Sequence, residues 1–292
     1  MARGSSDKAA EVADKLAEKA VRKAEKLHAK AEKLHTTVDK LAAKAERLQE
    51  WADRLEAIEL WRRESPGRRQ ARFTRQDLAR AAVALIDAEG ADALSMRRLA
   101  QELGAGTMTL YHYVRNKDEL LVLVGDEVMG EVLVPDLAAL PEDWMEAMVV
   151  IGTRTRDAMR RHPWMFELNL DPGFGPNSVR HIDQTLHALR SLDADLDVKV
   201  DVVLAVDEYV MGYCLHERGA LGPGQPPMDD LVAYAEELVA AGGYPTLEAL
   251  LAGDGGGVVG LWDAFVRTGA DDARFERNLR RFLRGIAADL AT

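Results

Sequence analysis

Apolar positions recur along this chain in two rhythms. Between residues 10 and 58 they follow a seven-residue repeat, clearest as AEKLHAK at 24–30, AEKLHTT at 31–37, VDKLAAK at 38–44, AERLQEW at 45–51 and ADRLEAI at 52–58. Leucine stands at 27, 34, 41, 48 and 55, and four residues after each comes Ala31, Val38, Ala45 or Ala52, until Glu59 breaks the series. This is an a/d seam with Ala mostly at a and Leu at d, free of Pro and Gly and rich in helix formers. Unbroken, it predicts a helix about 70 Å long at roughly 1.5 Å per residue. An Ala-rich seam buries little area per turn, so it calls for a partner surface at close approach.

Glu64-Ser-Pro-Gly67 interrupts that rhythm and marks a boundary. Beyond it the apolar spacing becomes three to four, in shorter amphipathic helices. Thr74-x-x-Asp77 is a cap-like start, Leu78, Ala82, Leu85 and Ile86 share one face, and Glu89-Gly90 closes that helix. The stretch Leu94 to Lys117, LSMRRLAQELGAGTMTLYHYVRNK, then reads as two short helices and a turn. Ser95 is a good N-cap, and Leu99, Ala100 and Leu103 make the apolar stripe. Gly104 and Gly106 allow backbone angles closed to other residues. Thr107 is expected to cap a very short second helix, with Leu110 and Val114 inward and Thr107, Thr109, Tyr111 and His112 outward. Asn116-x-x-Glu119 opens a further helix carrying Leu120, Leu121, Val124 and Val128 that stops before Pro135.

After Leu140 the periodicity predicts only helices: Pro141–Arg161, Ser178–Leu192, Val198–Arg218, Asp229–Ala241, Val258–Arg267 and Ala273–Leu290. A short aromatic segment, HPWMFELN, and the turn DPGFGPN lie between the first two. The fold class is therefore all-α. It divides into a heptad-repeat extension at 1–64, a helix-turn-helix domain at 65–117, and a helical body at 118–292.

Charge sharpens the division. The chain has 292 residues and a net charge of −11, which argues against a nonspecific nucleic-acid binder. That total is distributed as +2 over residues 1–64, +2 over 65–125 and −15 over 126–292. The basic residues of the middle segment cluster at Arg68, Arg69, Arg72, Arg75, Arg97, Arg98, Arg115 and Lys117. An acidic body on a locally basic module would hold DNA at one face only. The single cysteine, Cys214, excludes an intrachain disulfide and suits a reducing cytoplasm. No apolar run approaches the roughly 20 residues of a membrane span, and the N-terminus lacks a signal-peptide core.

The pattern LAQ-x-LG-x-x-x-x-TLY-x-x-V-x-NK, with the amphipathic helix before it, resembles the tetracycline-repressor (TetR) family over about fifty residues, Arg72 to Leu121. A purely structural hairpin would not need Thr, Tyr and His exposed on its shortest helix. The resemblance implies a helix-turn-helix whose second helix enters the DNA major groove. Carried over position by position, it places Arg97 near a phosphate, and Thr107, Met108 and Thr109 where bases are read, Met108 being able to touch a thymine methyl. Tyr111, His112 and Tyr113 would reach bases or phosphates, and Lys117 would pair with phosphate. It further implies a homodimer, formed by the helices at Val198–Arg218 and Ala273–Leu290, on a palindromic double-stranded operator.

No catalytic constellation stands out. His162, His181, His187 and His216 form no metal-ligand pair, and the glycine run at 253–257 is not followed by the Lys-Ser/Thr of a phosphate loop. Large side chains instead collect on helices that the family arranges around a ligand cavity: Trp144, Met148, Trp164, Phe166, Phe174, Tyr209 and Tyr213, with Asn169, His181 and His216 as polar anchors and Glu217 beside them. Family members that bind a metal–drug chelate use a histidine after the sixth helix; the matching stretch here, Phe166 to Asp171, has none. No metal or cofactor is expected. The expected function is a cytoplasmic repressor that leaves its operator when a small hydrophobic effector binds, with no part in membranes and no enzymatic activity. A structural or interaction protein, whose coiled coil is the working part and whose helix-turn-helix only anchors it, is the alternative.

Overall fold

The computed structural model describes Lys30, Glu32, His35, Val38, Lys40, Ala42 and Lys44, and residues 58–63, 72–168, 175–221, 228–251, 256–269 and 271–291. The chain divides into two compact units, residues 1–59 and 60–292. In the first unit the described residues between Lys30 and Lys44 are helical and exposed, and most of the heptad seam, including its leucines, lies outside the described residues.

The second unit is built only of helices among the described residues. They are α1 (Arg75–Glu89), α2 (Met96–Glu102), α3 (Thr107–Leu110), α4 (Lys117–Val132), α5 (Trp144–Arg161), α6 (Pro176–Ala188), α7 (Leu196–Leu221), α8 (Met228–Ala240), α9 (Pro245–Leu251), α10 (Gly257–Gly269) and α11 (Ala273–Leu290). None is long and apolar enough to cross a membrane.

Local chemistry sets most boundaries. Thr74 and Asp77 form a reciprocal capping box at the start of α1. Ser95 Oγ accepts the Arg98 N–H, and the Asn116 side chain accepts the Glu119 N–H. Glu119 does not complete a box at Asn116, however; its carboxylate accepts from the Arg115 backbone N–H and from Arg63. Gly104 adopts φ +58°, the left-handed conformation the turn requires. Two expectations are corrected here. Gly106 has φ −79° and is itself the N-cap of α3, and Thr107, already in the helix, makes no capping bond. In the body, α9 adds a seven-residue helix that the periodicity misses.

One apolar core runs from Leu60, through Leu78, Ile86, Leu99 and Leu110 of the head, along Leu120, Val124 and Val128 of α4, to Met148, Val206, Phe275 and Leu279 of the body. The linking helix α4 is thus wetted by the core at both ends. Burial of this kind contributes roughly 25 cal/mol per Å² of apolar surface and holds head and body in one arrangement.

Candidate functional site

The short helix α3 is the centre of the first site. Leu110 is fully buried, while Met108 on the same turn is 74% exposed. Tyr111 and His112 are exposed, and Thr107 and Thr109 half-buried. Arg97 on α2 and Lys117 at the start of α4 are exposed around this turn. Arg98 is engaged differently: its guanidinium pairs with Glu89 at 2.6 Å and Glu102 at 3.0 Å, which raises its already high pKa. The face offered to solvent therefore combines hydroxyls, a thioether, an imidazole, a phenol and two cations, Arg97 and Lys117, that have no salt bridge among the described residues, a set suited to base edges and phosphates.

Tyr113 departs from expectation. It is 3% exposed, its hydroxyl accepts the Phe73 N–H at 3.2 Å, and its carbonyl accepts from Arg75 Nε. A helix of one turn leaves residue 113 three positions after Leu110, on the inner side. Tyr113 fastens the reading helix to the start of α1 and does not reach outward.

Residues ahead of α1 join the same unit. Leu60 is fully buried, Arg63 Nη2 donates to Glu119 at 2.6 Å, and Arg75 Nη1 donates to the Arg63 carbonyl at 2.9 Å. Sequence reasoning passed over them because no apolar repeat connects Leu60 to the head.

The helix α4 is gripped by the body at three levels. Asp126, nearly buried, accepts the backbone N–H groups of Asn177 and Ser178 at the start of α6, each at 3.0 Å, and the Ser178 hydroxyl. Burial pushes its carboxyl above the usual range, and these hydrogen bonds hold it down only in part. Arg154 of α5 donates to the carbonyls of Glu131, Val132 and Leu133, closing the C-terminus of α4. Gln184 of α6 makes a two-way bond with the backbone of Val134. Head and body also meet directly, since Asp87 of α1 accepts from the Trp164 indole at 2.7 Å and lies 2.8 Å from His162 Nδ1, whose other nitrogen faces Glu131. Trp164 thus sits in this joint.

The other residues expected to meet an effector are dispersed. Trp144 and Met148 are buried in the core on α5. Phe166 is half-buried after a 3-10 turn, and His181 lies alone on α6, where burial lowers its pKa. Asn169 and Phe174 lie outside the described residues. Tyr209 and Tyr213 do come together, with Phe275 and Phe282 of α11, at ring separations of 5.0 to 6.1 Å. The Tyr209 hydroxyl donates to the Phe275 carbonyl, and burial pushes its pKa up to about 12. Glu217 is occupied by Arg156 at 2.6 Å. His216 faces a cavity of about 310 Å³ between α7, α10 and α11, walled by Leu261, Ala264, Phe265 and Thr268 and by Arg274. Among the described residues no group of three metal-ligating side chains converges.

Known proteins resemble this chain in sequence and fold. A model described as bacterial regulatory proteins, tetR family, matches residues 78–124, and one described as tetracyclin repressor-like, C-terminal domain, matches residues 137–290. The HTH-type transcriptional repressor DrrR1 of Streptomyces coeruleorubidus is 34% identical over 200 residues, covering 63% of this chain and 73% of that one. An HTH-type transcriptional regulator of Saccharopolyspora erythraea is 30% identical over 230 residues, covering 78% and 90%. Among solved structures, the Streptomyces coelicolor protein ActR in complex with actinorhodin superposes with a TM-score of 0.56 at 27% identity, over 75% of this chain and 98% of that one.

Proposed function

This chain belongs to the TetR family and is a ligand-responsive, DNA-binding transcriptional repressor, and we propose that α3 reads its operator while the clasps on α4 carry the ligand's signal. The observation that carries the first half is the division of one helical turn into a fully buried Leu110 and a largely exposed Met108. A methionine held out to water by a rigid turn costs solvation, and a thymine methyl in the major groove would offset it. Thr107 and Thr109 read beside it, Arg97, Tyr111, His112 and Lys117 anchor phosphates or neighbouring bases, and Tyr113 positions the helix from within.

The repressor acts as a homodimer whose two heads lie about 34–36 Å apart on successive major grooves of a palindrome. An effector in the body shifts α5 or α6; Arg154, Gln184 and Asp126 pass that shift to α4, and the heads leave register. The extension at 1–64, head at 65–117 and body at 118–292 are the working divisions. The protein acts by binding rather than by catalysis, in the cytoplasm with the DNA. The rival reading, an anchored coiled-coil protein, draws nothing from the relatives, which are regulators.

The test is an operator selected from random duplexes and measured by fluorescence anisotropy. Thr109→Ala and Met108→Ala should each change affinity for that operator by about 1–3 kcal/mol, and Lys117→Ala should weaken all duplexes alike. Unchanged base preference in Thr109→Ala would remove α3 from the reading role.

A further inference from the structure

The cavity between α7, α10 and α11 has a chemical signature of its own. Leu261, Ala264, Phe265 and Thr268 recur at helical spacing along α10 and give it an apolar wall. Its volume, about 310 Å³, lies at the lower end of small-ligand sites, and its mouth is open to solvent, Phe265 being 64% exposed. Two nitrogen-bearing side chains converge on it from other helices, His216 of α7 and Arg274 of α11.

The charges around it are unevenly matched. Arg156 pairs with Glu217 at 2.6 Å and Asp272 at 3.3 Å, Arg160 with the same Asp272 at 3.2 Å, and Arg277 with Asp271 at 2.8 Å. These contacts engage Asp271 and Asp272 ahead of Arg274 and Glu217 across from it, and Glu276 beyond it pairs with Arg280 at 3.0 Å. The Arg274 guanidinium itself, half-buried, has no carboxylate in salt-bridge range among the described residues and rests over the Tyr213 ring at 5.6 Å. Tyr213 thus carries two guanidiniums, Arg156 at 5.3 Å being the neutralised one. The nearest counter-charge is Asp271, which acts on Arg274 only through space while its carboxylate is paired with Arg277; a partly desolvated cation held without a direct partner leaves room for an anion to bind against it. The surrounding body is strongly acidic and repels anions at long range, so attraction is confined to this lip.

We propose that this cavity binds an amphipathic organic acid, its rings or chain against Leu261, Ala264 and Phe265 and its acid group held by Arg274, with His216 as a further donor. The assignment deepens the effector reading above and rests on it.

The probe is anilinonaphthalene sulfonate, compared with its neutral counterpart N-phenyl-naphthylamine, on the purified full-length chain, followed by fluorescence. The sulfonate should bind more tightly than the amine. Arg274→Gln should weaken the sulfonate about tenfold or more, the scale of one charge-assisted hydrogen bond, with little effect on the amine, and Arg274→Lys should keep most of the preference. Ala264→Trp, which fills the cavity, should weaken both, and circular dichroism checks that each variant is folded. Equal sulfonate affinity in wild type and Arg274→Gln overturns the assignment. Release of labelled operator is read separately by anisotropy. Arg274-dependent binding with the operator retained supports the site and removes its role as trigger. Sulfonate-driven release that is equally strong in wild type and Arg274→Gln overturns the assignment of the effector to this cavity and leaves the repressor reading standing.

Discussion

Asp126 Oδ1 occupies the space in which a side chain at Gly175 would begin, so that a Cβ there would overlap the carboxylate. Gly175 has φ −71°, an angle open to any residue, so the requirement for glycine is steric alone. Gly175→Ala should drive Asp126 off the start of α6 and cost about 1–3 kcal/mol, the usual price of overpacking. Thermal unfolding followed by circular dichroism measures it; a melting temperature equal to wild type would show that the clasp tolerates a methyl.

The same carboxylate predicts a pH dependence. Burial raises its pKa in the folded state above the unfolded value. Stability from this group is therefore fully present below the unfolded value and is lost as pH rises through the higher native one. Asp126→Asn keeps an oxygen acceptor and cannot titrate. The melting temperature of wild type relative to Asp126→Asn should rise as pH is lowered from neutral across that window, and a difference independent of pH would refute the sign.

Tyr113→Phe separates positioning from reading. The variant loses the acceptor for the Phe73 N–H while the ring stays in the core. Stability should fall by about 1 kcal/mol, and the ranking of operator sequences should be unchanged. A changed ranking in the anisotropy assay would mean that the phenol touches DNA after all.

Phe282 stacks on Tyr209 at 5.7 Å yet is 36% exposed in the protomer, as expected for a side chain shared with a second copy. Phe282→Glu should give monomers by light scattering and abolish operator binding, since a single head makes only half the contacts. A monodisperse dimer would place the two-fold elsewhere.

How far the sequence was legible depended on the range of the interaction. The caps at Thr74 and Ser95 were readable because donor and acceptor lie three residues apart, and α11 runs from Ala273 to Leu290 as its apolar spacing implies. The helix α9 escaped because seven residues after Gly242 and Gly243, both at positive φ, hold too few turns to show a period. Tyr113 was misjudged for a related reason: one turn does not define a face. Arg274 went unnoticed because its significance lies in which neighbouring carboxylates Arg156, Arg160 and Arg277 have already taken, a tertiary fact.

Leu60 and Arg63 bear on how portable the reading head is. Leu60 is fully buried, the Arg63 carbonyl receives Arg75, and the Arg63 guanidinium neutralises the buried Glu119. A chimera that grafts this head onto a foreign body must carry residues 60–63 along with Arg75, Tyr113 and Glu119. Cut later, the transplant would bring a buried carboxylate that has lost its closer cation and keeps only Arg115 at 3.9 Å, and the new protein would inherit the operator preference of this one on a weakened frame.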